Sequence, residues 1–536
     1  MVKTDQLIVI LLVIFVFMGF IISINFIATF IFLLILPGFF IIDLLNRKSN
    51  FAEKIILGFG INLTLIPLLT HIYKFFLPLN FYTILGTIIA LSLISIIKRW
   101  RSIKEIKLKR EEVKVGSLIL IGIILLGVCT RILPILNMNA PLFADPAVEG
   151  TITKLIVNNQ GIPQTWEPFL NLKLKHQPGF ASIIAWFHIV SGIEIPRIIL
   201  FLTSILHAMF PLTIYLLTGN FFDNEFRRLI STLIALLAAF PTYIFVAGMN
   251  SGVTMYFIVP ILLFSIFRNL KEMRYGELVY ISILSLGTFL IHPLFLFFIT
   301  ICTLPFIIIK WADFSRPLKS VSILFIIVII LPVLFFSPTI VDKFDPSSTT
   351  SDLASKQWEI QNSYINPRGK ISPILFLGPI FMNFNNESGY WYIYFDNLSI
   401  VSVLQNLFGF IFVGVLFYSI YIIIRERNRY GYIAVSWYLL FVLFGPLQTI
   451  LTLKFPGWQY IYPTRVKFLT VIPLSIILTF GFLQGRKINV NKNFKEILNV
   501  LPVLFILLIY IPIGSEFIYT HLNTLSSGKG LSEGDL

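Results

Sequence analysis

The stretch Leu7–Ile24, "LIVILLVIFVFMGFIISI", carries no charged residue over its whole length. At about 1.5 Å per residue, a helix of that length crosses the roughly 30 Å of hydrocarbon in a bilayer. Ser322–Phe336, "SILFIIVIILPVLFF", repeats the pattern far downstream, and many similar segments lie between. Across 536 residues, 57% are hydrophobic and 12% are charged, which is too apolar for the surface of a soluble domain. The chain therefore reads as a membrane protein. Its first apolar run is too long for a secretory signal and lacks a small-residue cleavage pattern, so it is expected to be retained. Cys129 and Cys302 both lie in apolar segments, which gives neither a disulfide framework nor metal-ligand spacing. The formal charge of +15 comes from short basic clusters between apolar segments. These lack the aromatic and glycine patterns of RNA-binding modules, so they point to cytoplasmic anchoring of loops and not to nucleic acid.

The expected fold class is all-α, a polytopic transmembrane helix bundle. Fifteen apolar segments read as spans: 6–23, 25–45, 55–75, 81–97, 116–135, 196–218, 228–247, 252–268, 276–292, 294–310, 320–337, 399–424, 431–453, 464–484 and 497–514. With the N-terminus inside, the inner loops hold "NRKSNFAEK", "KRWRSIKEIKLKREEVK", "RNLKEMRY", "KWADFSRPLKS", "RERNRY" and "GRKINVNKNFKE". With Lys3, Arg227 and Arg228 they carry 27 of the 41 Lys and Arg residues, the bias expected of cytoplasmic loops. One further apolar stretch, "PGFASIIAWFHIVSGI" from Pro178 to Ile193, would swap the side of every later loop if it crossed. It is expected to be an interfacial or re-entrant helix at the outer face.

Outer loops as long as 137–195 and 337–397 are more than connections. The first contains "FADPAVEG", Phe143–Gly150. Asp145 before Pro146 predicts a helix start with Asp145 as its N-cap. Glu149 follows one turn later on the same face. An N-capping Asp and a Glu favoured by the helix dipole need no function, so this motif does not decide the matter by itself. "GIPQTWEPF" and "KLKHQPGFASIIAWFHIVSGI" come next.

This order resembles the GT-C superfamily of membrane glycosyltransferases, over about residues 116–311 and more loosely beyond. The resemblance implies an enzyme that moves a sugar from a polyprenyl-phosphate donor to an extracytoplasmic hydroxyl, with inversion. The acceptor would be a glycan, a lipid or a protein. It implies a cell-membrane location with the active site outside. It makes Asp145 the catalytic base, with Glu149 a weaker partner, and puts His176, Pro178 and Gly179 at the start of the outer-loop helix. The second acid that such enzymes often carry in a later outer loop is absent from "VAGMNSGVT", where Asn250 and Ser251 stand. Metal dependence is therefore open: magnesium or manganese is the cofactor to consider, with Asp145 its ligand if one binds.

Transfer from a lipid phosphate needs a base at the acceptor and cations at the leaving phosphate. "LIHPLF" offers His292 at an outer turn, and "KFPGWQYIYPTRVKF" brings Arg465 and Lys467 to an outer boundary. Arg465 matches an arginine at the head of a late span in the GT-C pattern and could bind phosphate through two nitrogens. Arg131, near the outer end of its span, should have a partner or reach the interface. Trp166, Trp458, Tyr460 and Tyr462 could stack on a sugar, although aromatic belts at membrane boundaries look the same. The regions are then 1–97, a four-span leader; 98–115, a basic linker; 116–336, the core; 337–397, an outer lid or acceptor loop; and 398–536, the remaining spans and tail. A lipid-linked glycan transporter or flippase, and a non-catalytic scaffold, are the rival readings. Span interiors nearly free of Asp, Glu, Lys and Arg speak against ion-coupled transport.

Overall fold

A computed structural model of the chain describes residues 2–3, 24–45, 51–103, 112–113, 115–132, 135–136, 138, 140–141, 144–174, 176–238, 250–271, 274–313, 317–335, 414–452 and 469–484. They are almost entirely helical. Two short antiparallel ladders accompany the helices, β1 (Val2–Lys3) with β2 (Glu112–Val113) and β3 (Thr165–Trp166) with β4 (Leu170–Lys173). The apolar segments that fall within these residues are helices. The segments at 6–23 and 497–514, the loop 337–397, and Trp458, Tyr460, Tyr462, Arg465 and Lys467 lie outside them.

Helix α1 runs from Ile24–Phe30 through a π turn, Ile31–Ile35, into Leu36–Leu44. The π turn just precedes Pro37, and a second one, Ile326–Ile330, just precedes Pro332. A proline inside a helix has no N–H to give and crowds the carbonyl four residues back. One wider turn, with Leu36 N–H bonded to Ile31 O and Leu331 N–H to Ile326 O, relieves the crowding without ending the helix.

Next come α2 (Phe51–Phe76), α3 (Phe81–Ile103), α4 (Val115–Ile132), α5 (Ala144–Asn158), α6 (Gly179–Ser191), α7 (Ile195–Thr218), α8 (Glu225–Ala238), α9 (Asn250–Lys271), α10 (Tyr275–Ile291) and α11 (Phe295–Lys310). Then α12 spans Pro317–Phe325, the second π turn and Leu331–Phe335; α13 is Gly414–Arg425, α14 Arg429–Thr452 and α15 Val471–Gln484. Five helical stretches are long and apolar enough to cross a membrane: Ile24–Ile42, Glu53–Phe76, Ile195–Thr218, Gly252–Leu270 and Phe295–Asp313. Phe76, Tyr82 and Ile97 on α2 and α3 are 78%, 80% and 71% exposed. So apolar a rim suits lipid better than water.

Helices α7 and α9 form the centre, each with 94% of its apolar window buried. The leading helices pack directly on this centre. Gly38 of α1 and Gly58 of α2 meet backbone to backbone, so that a methyl group on either would strike the other helix. Asn62 donates to Leu34 O at 2.8 Å, Tyr280 OH to Leu57 O at 2.8 Å, and Trp186 Nε1 to Thr70 Oγ1 at 2.9 Å. Side-chain donors that would be costly to bury alone thus tie α1, α2, α6 and α10 together.

The helix ends sort into two sets. At one end Leu45 O abuts Gly276, Glu225 lies against Gly116, and Arg228 stacks on the Tyr215 ring at 4.2 Å. The same end holds Lys310 with Asp313 at 2.7 Å, and Arg429 with Asp313 at 3.5 Å. At the other end Leu79 N–H donates to Gln160 O at 2.7 Å, Glu149 meets His176, and Gly179 presses on Leu290 and Ile291.

The stretch 178–193 forms α6; of the two placements expected for it, a helix lying along the surface is not what the structure shows, and a short helix enclosed by others is. Gly179 through Phe187 are all buried, enclosed by α2, α5, α7 and α10. With 13 residues it is only about 20 Å long, too short to cross a bilayer. The cause is its composition: apolar residues all round leave no face for water, so the bundle takes it in.

Candidate functional site

The site is built on α5, which begins at Ala144. Asp145 is therefore the second helical residue and not the N-cap, and Pro146 sits in the first turn, where its missing N–H costs nothing. The side chain of Asp145 lies outside the described residues, as do those of Asn250 and Ser251. Glu149 is one turn further along and buried, 2% exposed. With Ile152, Thr153 and Ile156 it forms the inward stripe of α5. The Thr153 hydroxyl reaches Glu149 O at 2.8 Å and Ala181 O at 3.3 Å, which fixes α5 against the first turn of α6.

A buried carboxylate must find compensation. For Glu149 it comes from His176, 27 residues along the chain, whose Nε2 lies 3.3 Å from Oε1. The second oxygen, Oε2, is buried and has no hydrogen-bond partner among the described residues. The β3–β4 hairpin delivers the histidine. Its strands pair Thr165 with Lys173 and Trp166 with Leu170, and Leu174 N–H closes onto Gln164 O at 2.8 Å. Trp166 is half-buried and packs against the hydrophobic core, so it anchors the hairpin. The pairing of Glu149 with His176 was not legible from spacing, because it depends on that hairpin folding back.

Behind His176 the chain enters α6 at Gly179. A Cβ there would lie 2.5 Å from Ile291 N and 2.6 Å from Leu290 O, so only glycine allows the approach. This contact brings the α10–α11 turn, and with it His292, against the segment that carries His176. His292 is buried, 8% exposed, and closes the end of α10 through its backbone N–H to Thr288 O at 2.8 Å. Leu294 N–H donates to its Nδ1 at 3.3 Å, which places the ring proton on Nε2. At the far end of α6, His188 Nδ1 bonds Ile193 O at 2.7 Å and caps the helix.

Arg131 neither reaches the interface nor faces lipid. It is fully buried and donates to Thr130 Oγ1 at 2.6 Å and to Leu236 O at 2.9 Å, joining the ends of α4 and α8. Among the described residues no three His, Cys, Asp or Glu side chains gather to hold a metal ion; Glu149 and His176 supply two donors. Of the residues singled out in the sequence, Glu149, His176 and His292 thus come to one end of the bundle, with Trp166 bracing the hairpin. Thr153 is an addition, with i,i+4 spacing from Glu149 as its only sequence signal. In comparisons with known proteins, no family model matches the chain and no curated protein matches it.

Proposed function

We propose that the chain is a multi-pass glycosyltransferase of GT-C type, with fifteen spans, its N-terminus in the cytoplasm and its reaction at the outer face of the cell membrane. The observation that carries this reading is the buried Glu149, one turn beyond Asp145 and held by His176, at one end of a bundle with an apolar rim. The two sets of helix ends support the orientation: each contact named above joins loops that the positive-charge bias assigns to one side.

The donor is a polyprenyl-phosphate sugar, whose tail stays in hydrocarbon while its headgroup meets water. The acceptor hydroxyl loses its proton to a base drawn from Asp145 and the neighbouring Glu149–His176 pair. As the acceptor oxygen bonds the anomeric carbon, the bond from that carbon to the phosphate oxygen breaks, through a centre of oxocarbenium character. The phosphate leaves with the electron pair. His292, Arg465 and Lys467 are assigned to the donor phosphate, and Trp166 and Tyr462 to the sugar.

The test uses purified full-length protein, a radiolabelled polyprenyl-phosphate sugar and candidate acceptors. Label is expected in the acceptor, with loss in Asp145→Asn and Asp145→Ala. Activity that survives both substitutions excludes Asp145 as the essential base. No transfer from any such donor, with labelled lipid instead crossing proteoliposome membranes, would favour a flippase.

A further inference from the structure

We infer that His176 is a proton acceptor of the site, acting through Nδ1, and that Glu149 is its positioning residue; this rests on the transferase reading and names the residues for its proton step. Glu149 itself cannot meet a substrate, because its side chain is 3% exposed. The histidine side chain is 36% exposed. Its Nε2 faces Glu149 Oε1 at 3.3 Å, and among the described residues Nδ1 makes no hydrogen bond. A carboxylate acceptor on Nε2 keeps the proton there, so the lone pair of Nδ1 points away from the buried acid. This is the arrangement by which a carboxylate orients a histidine base and offsets the charge the ring gains on accepting a proton.

The support is built in from three directions. The hairpin fixes the approach of residue 176, Thr153 locks the Glu149 turn to α6, and the glycine contact at Gly179 sets α6 against α10. Of the charged and titratable groups on the elements packed around it, Glu149 of α5 is in contact. Lys154 of α5 is exposed, and His292 is engaged by Leu294 N–H. Along the chain Lys175 and Lys173 are the charges nearest His176, and Asp145 lies one turn before Glu149. In the reaction the acceptor O–H proton passes to Nδ1 in place of the Asp145 carboxylate, which is left to hold the acceptor hydroxyl; the oxygen forms its bond to the anomeric carbon, and the phosphate departs with the electrons of the broken C–O bond. The imidazolium then returns its proton to water.

Two readouts test this on the full chain. The first is ¹⁵N NMR of histidine-labelled protein in proteoliposomes, with the signal assigned by its loss in His176→Gln. The wild type is expected to show the Nε2–H tautomer, and Glu149→Met, which keeps volume but removes the acceptor, a mixture. The second is the pH profile of sugar transfer. His176→Gln retains an amide that can still bond Glu149, so its thermal melt should match wild type. Its rate should fall by about 10²- to 10⁴-fold, with loss of the acid limb. An Nδ1–H tautomer, a tautomer indifferent to Glu149→Met, or an acid limb unchanged in His176→Gln each overturns the assignment while transfer itself stands. A wild type that holds the Nε2–H ring but moves no sugar overturns the transferase reading, and the catalytic role of His176 with it.

Discussion

Adding one methyl group at Gly179 should weaken the protein, and adding one at Gly150, on the neighbouring helix, should not. The Cβ of Gly179→Ala would sit 2.5 Å from Ile291 N and 2.6 Å from the carbonyl of Leu290. Ordinary contact begins near 3.4 Å, so α6 and the end of α10 must part by about 0.9 Å, and both obstacles are backbone, which has no rotamer to yield. Overpacking of this kind costs about 1–3 kcal/mol. Gly179 is the first helical residue, so the interior-helix advantage of alanine offsets little of it. For a chain of this size the melting temperature should fall by roughly 1–3 °C. Gly150 lies inside α5, where the new Cβ would meet Ile199 and Ile195 methyl groups at 3.7 and 3.8 Å. That is a filled contact, and alanine there gains about 0.5–1 kcal/mol of helix stability. The functional consequence follows from the same displacement. Passed on to His176, three residues upstream, 0.9 Å would open the 3.3 Å contact with Glu149 to about 4.2 Å. Thermal melts of the two variants in detergent, with the NMR tautomer signal of His176, check the argument. Gly179→Ala melting at or above wild type while Gly150→Ala melts below it would refute it.

Tyr280→Phe removes the buried donor to Leu57 O and should cost about 1 kcal/mol, seen as a small fall in melting temperature with function intact. In a Cys129→Ser, Cys302→Ser background, Asn159→Cys should react with an impermeant maleimide on intact cells, whereas Asp223→Cys should react only after lysis. Both positions are exposed, at the two ends of the bundle, and labelling in the opposite sense would invert the orientation and move the candidate site to the cytosol.

Helices were legible here because apolar runs bounded by charged loops mark them, and where the residues are described the helices follow those runs closely, although five stretches alone are long and apolar enough to cross a membrane. The run 196–218 is the helix Ile195–Thr218, and 276–292 is Tyr275–Ile291. Even the irregularities had a visible cause, in the prolines at 37 and 332 that widen a turn ahead of them. What composition does not encode is which apolar surface meets lipid and which meets protein, since both are equally greasy. That is why composition left α6 open between an interfacial and a re-entrant helix, where the structure shows a short enclosed one, and why the leading helices gave no sign of being tied to the centre through Phe59 against Phe257 and Gly60 against Ile261. The same limit applies to the site. The i,i+4 spacing put Asp145 and Glu149 on one helical face, but the partner of Glu149 is chosen by a hairpin and by a glycine contact. Both are long-range consequences of packing and not of any local pattern. A histidine held by a buried acid is thus a property of three segments together, and its chemistry depends on the backbone approach at Gly179 as much as on either titratable residue.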